Sequence, residues 1–226
     1  VEMIPPLIVE CALDLGLQLV AITDHNATAN ILSVQKAAKG TGLTVLPGME
    51  LQTREDVHTL CLFDTFEQVM QLQKVVDSTL PGIQNQPDHF GEQFVVDETG
   101  DFICREEQLL LTSTSLTLGE AWKIVSDLGG LFIPAHVDRK AFGLLENLGL
   151  VPTDIPIDAL EISRHLSAAD ASVKFPQLRG YPLVQDGDAH RLDEISNKMA
   201  FHINAPTIAE LRLAIKNQEQ RTIQFS

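Results

Sequence analysis

A short apolar run, Leu19-Val20-Ala21-Ile22, passes straight into Thr23, Asp24, His25 and Asn26, and the same junction recurs along the chain. "LTVLPG" leads to Glu50, and "LFIPA" leads to His136. "DALEIS" carries Glu161 and runs on to Arg164 and His165, while "YPLVQ" leads to Asp186, Asp188 and His190. Each run is short, rich in Val, Ile and Leu, and lacks polar alternation. That is the pattern of a strand buried on both faces. Segments of helical character separate the runs. Strands and helices in alternation predict an α/β fold with a parallel sheet covered by helices, either a barrel or a doubly wound sheet.

The helices carry their own signals. "PPLIVECALDLG" starts on Pro5 or Pro6 and stops at Gly16, and "ATANILSVQKAAKGTG" closes at Gly40 or Gly42. "FEQVMQLQKVVDSTL" is strongly amphipathic. "LTLGEAWKIVSDLGG" offers Thr117 as a cap with Glu120 three residues on, and "TIAELRLAIKN" offers Thr207 with Glu210. "HTLCLF" and "MAFHINA" are further strands. Residues 81–108 differ from the rest. They are rich in turn formers and contain one hairpin, "QFVVDETGDFIC", turning at Thr99-Gly100. This segment reads as an insertion into a single domain spanning 1–226, with no repeat or linker dividing it.

In parallel α/β folds the C-terminal ends of the strands share one face, and ligands bind there. Five strands here deliver a carboxylate, an imidazole or both to that face. His58 opens its strand instead, and joins the same rim if that strand runs reversed. Taken singly these residues say little. A strand-end Asp is most often a turn former, a lone His is most often a satisfied polar group, and Glu50 is read equally well as solvated. Taken together they form a donor set. Imidazole and carboxylate bind Zn²⁺, Mn²⁺ or Fe, and no cysteine pair competes. In an extended segment Asp188 and His190 would point to one side. Glu50 can bridge two ions, and ions about 4 Å apart activate water and clamp a phosphate. His89, His165 and His202 stand outside this set, and Glu161 is either a supporting residue of the site or a structural one.

Charge narrows the partners. With 31 acidic against 16 basic residues the formal charge is −15, which opposes a general grip on nucleic acid, since phosphate neutralisation needs Lys and Arg. No apolar stretch of about 18 residues occurs, and "VEMIPP" does not resemble a secretory leader. The three separated cysteines, Cys11, Cys61 and Cys104, predict buried, reduced thiols and a cytoplasmic setting.

"AITDHN", "VLPGMELQT" followed by "HTLCLF", "IPAHVDR", "ALEIS" and "DGDAH" together resemble the PHP (polymerase and histidinol phosphatase) family of metal-dependent phosphoesterases, in order and over nearly the whole chain. The resemblance implies a distorted (β/α)₇ barrel with two to three divalent ions at its rim. It assigns His25, Glu50, His58, His136, Asp188 and His190 as metal ligands, with Glu50 as the bridge. It makes Asp24 a ligand or the residue that orients His25, and Arg139 a clamp on substrate phosphate. The family opens with a strand carrying H-x-H. None precedes residue 1, so that strand is expected upstream of this sequence. The implied activity is hydrolysis, by metal-activated water, of a phosphomonoester or of the terminal phosphodiester of a nucleotide or short oligonucleotide, with no stable binding of duplexes. The alternatives are a non-catalytic regulatory or structural module with a degraded metal site, and an amidohydrolase-type enzyme. The latter adds a bridging lysine, and no lysine here ends a strand.

Overall fold

A computed structural model describes residues 2–225. In chain order the first half holds helix α1 (Pro5–Asp14), strand β1 (Leu19–Ile22), α2 (Ile31–Ala37), β2 (Thr44–Gln52), β3 (His58–Leu62) and α3 (Phe66–Thr79). Residues 81–108 follow, with α4 (Pro87–Phe90), β4 (Phe94–Val96) and β5 (Phe102–Arg105). The second half holds α5 (Leu118–Asp127), β6 (Leu131–Pro134), α6 (Leu144–Leu148), β7 (Leu160–Glu161), α7 (Ala168–Lys174), β8 (Leu183–Val184), β9 (Met199–His202), α8 (Ile208–Ile215) and β10 (Thr222–Phe225). No helix among the described residues is long and apolar enough to cross a membrane.

The main sheet has the order β1-β2-β3-β6. β1 and β2 are parallel, as the alternation predicts, but β3 runs antiparallel to both β2 and β6. The sheet is therefore mixed, not wholly parallel. The reason lies in Thr53–Val57: five residues are too few for a helical crossover, so the chain can only turn back as a hairpin. In that turn the Thr53 amide donates to the Val57 carbonyl at 2.9 Å. β7 and β8 form a parallel pair, joined to the end of β6 by the Val137 amide, which donates to the Glu161 carbonyl at 2.9 Å. Among the described residues the main sheet and the β7–β8 pair thus follow one another along an arc.

Period-two alternation sets what each face of β2 carries. Met49 and Leu51 are fully buried and pack in one cluster with Val69, Leu72 and Val76 of α3 and Leu118, Ala121 and Val125 of α5. Burying each large side chain contributes about 1.5–3 kcal/mol. Glu50 and Gln52 face the other way. Capping boxes fix the helices on this layer, Thr65 with Gln68 on α3 and Thr117 with Glu120 on α5, each cap being worth about 1 kcal/mol. A second apolar cluster joins Leu46, Leu131, Ile133 and Val184 to Ile208, Leu211 and Ile215 of α8.

Several expectations need correction. β1 is only half-buried along its whole length, because it is the edge of the sheet and its free side opens on a cleft of about 1010 Å³. The strands foreseen in "DALEIS" and "YPLVQ" shrink to two residues each. Of the three thiols only Cys61 is buried, while Cys11 is half-buried and Cys104 exposed. β10 has no counterpart in the sequence reading. It pairs antiparallel with β9, Thr222 opposite His202.

Candidate metal centre

The centre begins with the way β1 ends. Beyond Ile22 the chain leaves regular pairing and rejoins β2 through a parallel bridge between His25 and Glu50. The Glu50 amide donates to the Asp24 carbonyl at 3.2 Å, and the Asn26 amide to the Glu50 carbonyl at 2.9 Å. Gly48 permits this approach: a Cβ there would lie 2.8 Å from the Thr23 side chain. Asn26 then locks it. The residue is fully buried with φ of 50°, a left-handed conformation that Asn tolerates better than most. Its Nδ2 donates to the Leu110 and Thr112 carbonyls at 2.8 and 2.9 Å, and its Oδ1 accepts from the Gln52 amide at 3.0 Å. Asn26 therefore ties the loop bearing His25 to both sides of Glu50 and to the chain that follows residues 81–108. The sequence held one faint signal of this, an Asn directly after a strand-end His.

The reversal of β3 brings His58 to the same rim. It sits opposite Gln52, diagonal to Glu50 on the same face and within reach of it. His58 Nδ1 lies 2.7 Å from Glu50 Oε1, His136 Nε2 lies 3.3 Å from the same oxygen, and His25 Nδ1 lies 3.4 Å from Oε2. Three imidazoles from three segments thus surround one buried carboxylate. Phe142, which the sequence gave no reason to single out, stacks flat on His58 with ring centroids 4.4 Å apart and 1° between planes. Its carbonyl accepts the His58 amide proton at 3.0 Å.

His136 follows β6 in a strained backbone, φ 30°. Its amide donates to Glu161 Oε2 at 2.5 Å, so Glu161 supports the histidine from behind. Asp188 and His190 form the opposite wall. They do not lie on an extended segment: Asp188 has φ 43°, so a turn brings its Oδ1 within 3.6 Å of His190 Nδ1. His190 Nε2 comes within 3.5 Å of His25 Nε2, which links the two walls. Arg139 pairs with Asp188 Oδ2. The Asp24 carboxylate is turned toward Asn30, whose Nδ2 donates to it at 3.2 Å. His89, His165 and His202 are all exposed.

The electrostatics divide the carboxylates. Burial pushes Glu50 upward, but hydrogen bonds from His136 and His58 outweigh it and hold the group below its ordinary range, so Glu50 is an anion. Glu161 is raised well above the usual range by burial and by the charge of Asp186. Asp186 opens on the cleft, yet its depth in the molecule pushes it up to about 6. Burial raises Asp24 and lowers His25, which favours the neutral imidazole that a metal requires. Burial also drives the Cys61 thiol up to about 12, so no thiolate enters the donor set.

These residues fit a divalent ion. His25, Glu50 and His58 each offer a donor atom, all within 4.8 Å of one another. His58 Nε2, His136 Nδ1 and Glu161 Oε1 are buried without any hydrogen-bond partner. Leaving such groups unpaired costs about 1–3 kcal/mol each, and a cation or its bound waters would offset that.

Fold and donor set together define a mixed α/β scaffold with a histidine–carboxylate rim. Endonuclease Q from Pyrococcus furiosus superposes with a TM-score of 0.70 over 98% of this chain at 21% identity, and endonuclease Q bound to a 27-mer duplex with an abasic lesion superposes equally well at 20%. A proposed metal-dependent phosphoesterase from Bifidobacterium adolescentis gives 0.54 over 83% at 18% identity. In sequence the chain is 26% identical over 241 residues to the uncharacterized protein YqxK of Bacillus subtilis (strain 168). It spans 56% of that relative and 53% of endonuclease Q. No protein-family profile matches the chain.

Proposed function

We propose that this chain is the metal-dependent phosphoesterase domain of an enzyme acting on a nucleotide or nucleic-acid strand. The observation that carries the reading is the convergence of His25, His58 and His136 on the two oxygens of Glu50. Glu50, His58 and His136 would hold one ion, and His25, His190 and Asp188 would complete the set. Bound there, a divalent cation supplies a water of lowered pKa and charge neutralisation for a phosphate. The chain's own residues do the rest. Glu161 and Phe142 fix the orientations of His136 and His58, Asn26 holds His25 against Glu50, and Arg139 offers a guanidinium to phosphate oxygens. The free edge of β1 beside the cleft supports a (β/α)₇ barrel as the complete architecture. The duplex complex of endonuclease Q favours nucleic acid as substrate over a small phosphomonoester, and weighs against the expectation that duplexes are avoided.

The test is a pair of full-length variants, Glu50→Gln and His58→Ala, compared for bound metal by elemental analysis and for turnover of nucleotide and oligonucleotide esters with Mn²⁺ or Zn²⁺. Glu50 touches three imidazoles and His58 only one side of the set, so Glu50→Gln loses more metal and more turnover. The loss should exceed the roughly 10- to 100-fold that removal of a merely orienting residue costs. Full metal and full turnover in Glu50→Gln would remove the basis of the reading.

A further inference from the structure

Arg139 and a divalent ion make claims on the same carboxylate. Nη1 of Arg139 donates to Asp188 Oδ2, while Oδ1 faces His190 at 3.6 Å. Asp188 is also among the residues that would hold metal under the proposed function, on which this inference rests. We propose that Arg139 exchanges between two acceptors, Asp188 and the phosphate of the substrate, and that a divalent ion drawing on Asp188 drives the exchange.

The backbone beneath Arg139 is held in place while its side chain is exposed. The Arg139 amide donates to the His136 carbonyl at 2.9 Å. Gly143 closes the loop so tightly that a Cβ there would lie 2.1 Å from the Arg139 carbonyl oxygen. The side chain itself is 43% exposed, so the guanidinium can swing about an anchored stem. The neighbouring arginine is committed elsewhere: Arg164 donates to the Gly187 carbonyl at 3.2 Å and to Glu194 Oε1 at 2.8 Å. Arg139 is thus the guanidinium in the rim with freedom to move. Two cations on one carboxylate repel each other, and in a partly buried site that repulsion is not fully screened. A guanidinium displaced from Asp188 presents planar, forked donors that match phosphate oxygens. Metal loading then creates the phosphate-binding side chain, and phosphate in turn stabilises the loaded state, since coupling of this kind is reciprocal.

The experiment is calorimetric titration of Mn²⁺ into metal-stripped full-length protein, with and without inorganic phosphate, for the wild type, Arg139→Gln and Arg139→Lys. Circular dichroism confirms that each is folded. Arg139→Gln should bind Mn²⁺ about tenfold more tightly than the wild type without phosphate, because a competing cation is gone. A residue that merely braced the loop would change affinity in the opposite direction when lost. Phosphate should tighten Mn²⁺ binding more in the wild type than in Arg139→Gln, with Arg139→Lys in between. Unchanged or weaker Mn²⁺ binding by Arg139→Gln overturns the exchange while leaving the phosphoesterase reading intact. A wild type that binds no Mn²⁺, Zn²⁺ or Fe²⁺ overturns both.

Discussion

Asp186 shows how one residue of this rim trades stability for charge. Its folded value of about 6 lies above the ordinary carboxylate value. The folded state therefore binds the proton more tightly than the unfolded state, and stability attributable to Asp186 falls as pH rises from about 4 through about 6. Asp186→Asn removes that dependence while keeping the oxygen that accepts the Asp188 amide at 2.9 Å. Because Asp186 is solvent-exposed and its charge partly screened, the melting temperature of metal-stripped Asp186→Asn should match the wild type near pH 4 and exceed it by only about one degree above about pH 6. A difference that stays constant with pH, or shrinks as pH rises, would show that Asp186 does not carry the charge assigned to it. Residues of this kind were half-legible. Asp186 was visible at the end of an apolar run, but Asn26, Phe142 and the supporting role of Glu161 depend on contacts between distant segments that no local pattern records.

At the level of elements, the Asn30 side chain links the hairpin within residues 81–108 to the centre. Asn30 donates through Nδ2 to the Phe94 carbonyl at 3.1 Å and to Asp24 Oδ2 at 3.2 Å, and its Oδ1 accepts the Val96 amide proton at 3.0 Å. Ser33 adds one bond to the Val96 carbonyl at 2.6 Å. β5 on the outer side of the hairpin is exposed throughout, so little apolar burial helps to hold it down. Asn30→Ala should therefore speed amide exchange across residues 93–105 by roughly tenfold, about 1.4 kcal/mol of local opening, while β2 and α3 exchange as before. Unchanged exchange in the hairpin would mean that other contacts anchor it. The hairpin itself was legible, because Thr99-Gly100 between apolar runs fixes the turn and Gly100 has φ of 89°. The helix caps at Thr117 and Thr207 were legible for the same local reason. Strand direction was not. Whether β3 runs with or against β2 depends on the length of the turn between them, and taking residues 186–190 as extended hid the left-handed turn at Asp188.

Across the whole molecule, a formal charge of −15 and a rim holding the Glu50 and Asp188 carboxylates demand positive charge at one place. The arc of strands supplies that place, with the imidazoles of His25, His58 and His136 turned toward Glu50 and the cleft opening beside them. Divalent ions binding there should stabilise the fold by mass action, by about 2.7 kcal/mol at a free concentration a hundred times Kd. The account stands or falls on where the ion sits. The direct measurement is an anomalous difference map, collected at the manganese edge, from crystals of the full-length protein grown with Mn²⁺. The account predicts a peak within coordination distance of Glu50, His58 and His136 together. Manganese bound elsewhere, or no peak at that position in crystals saturated with the ion, would contradict it.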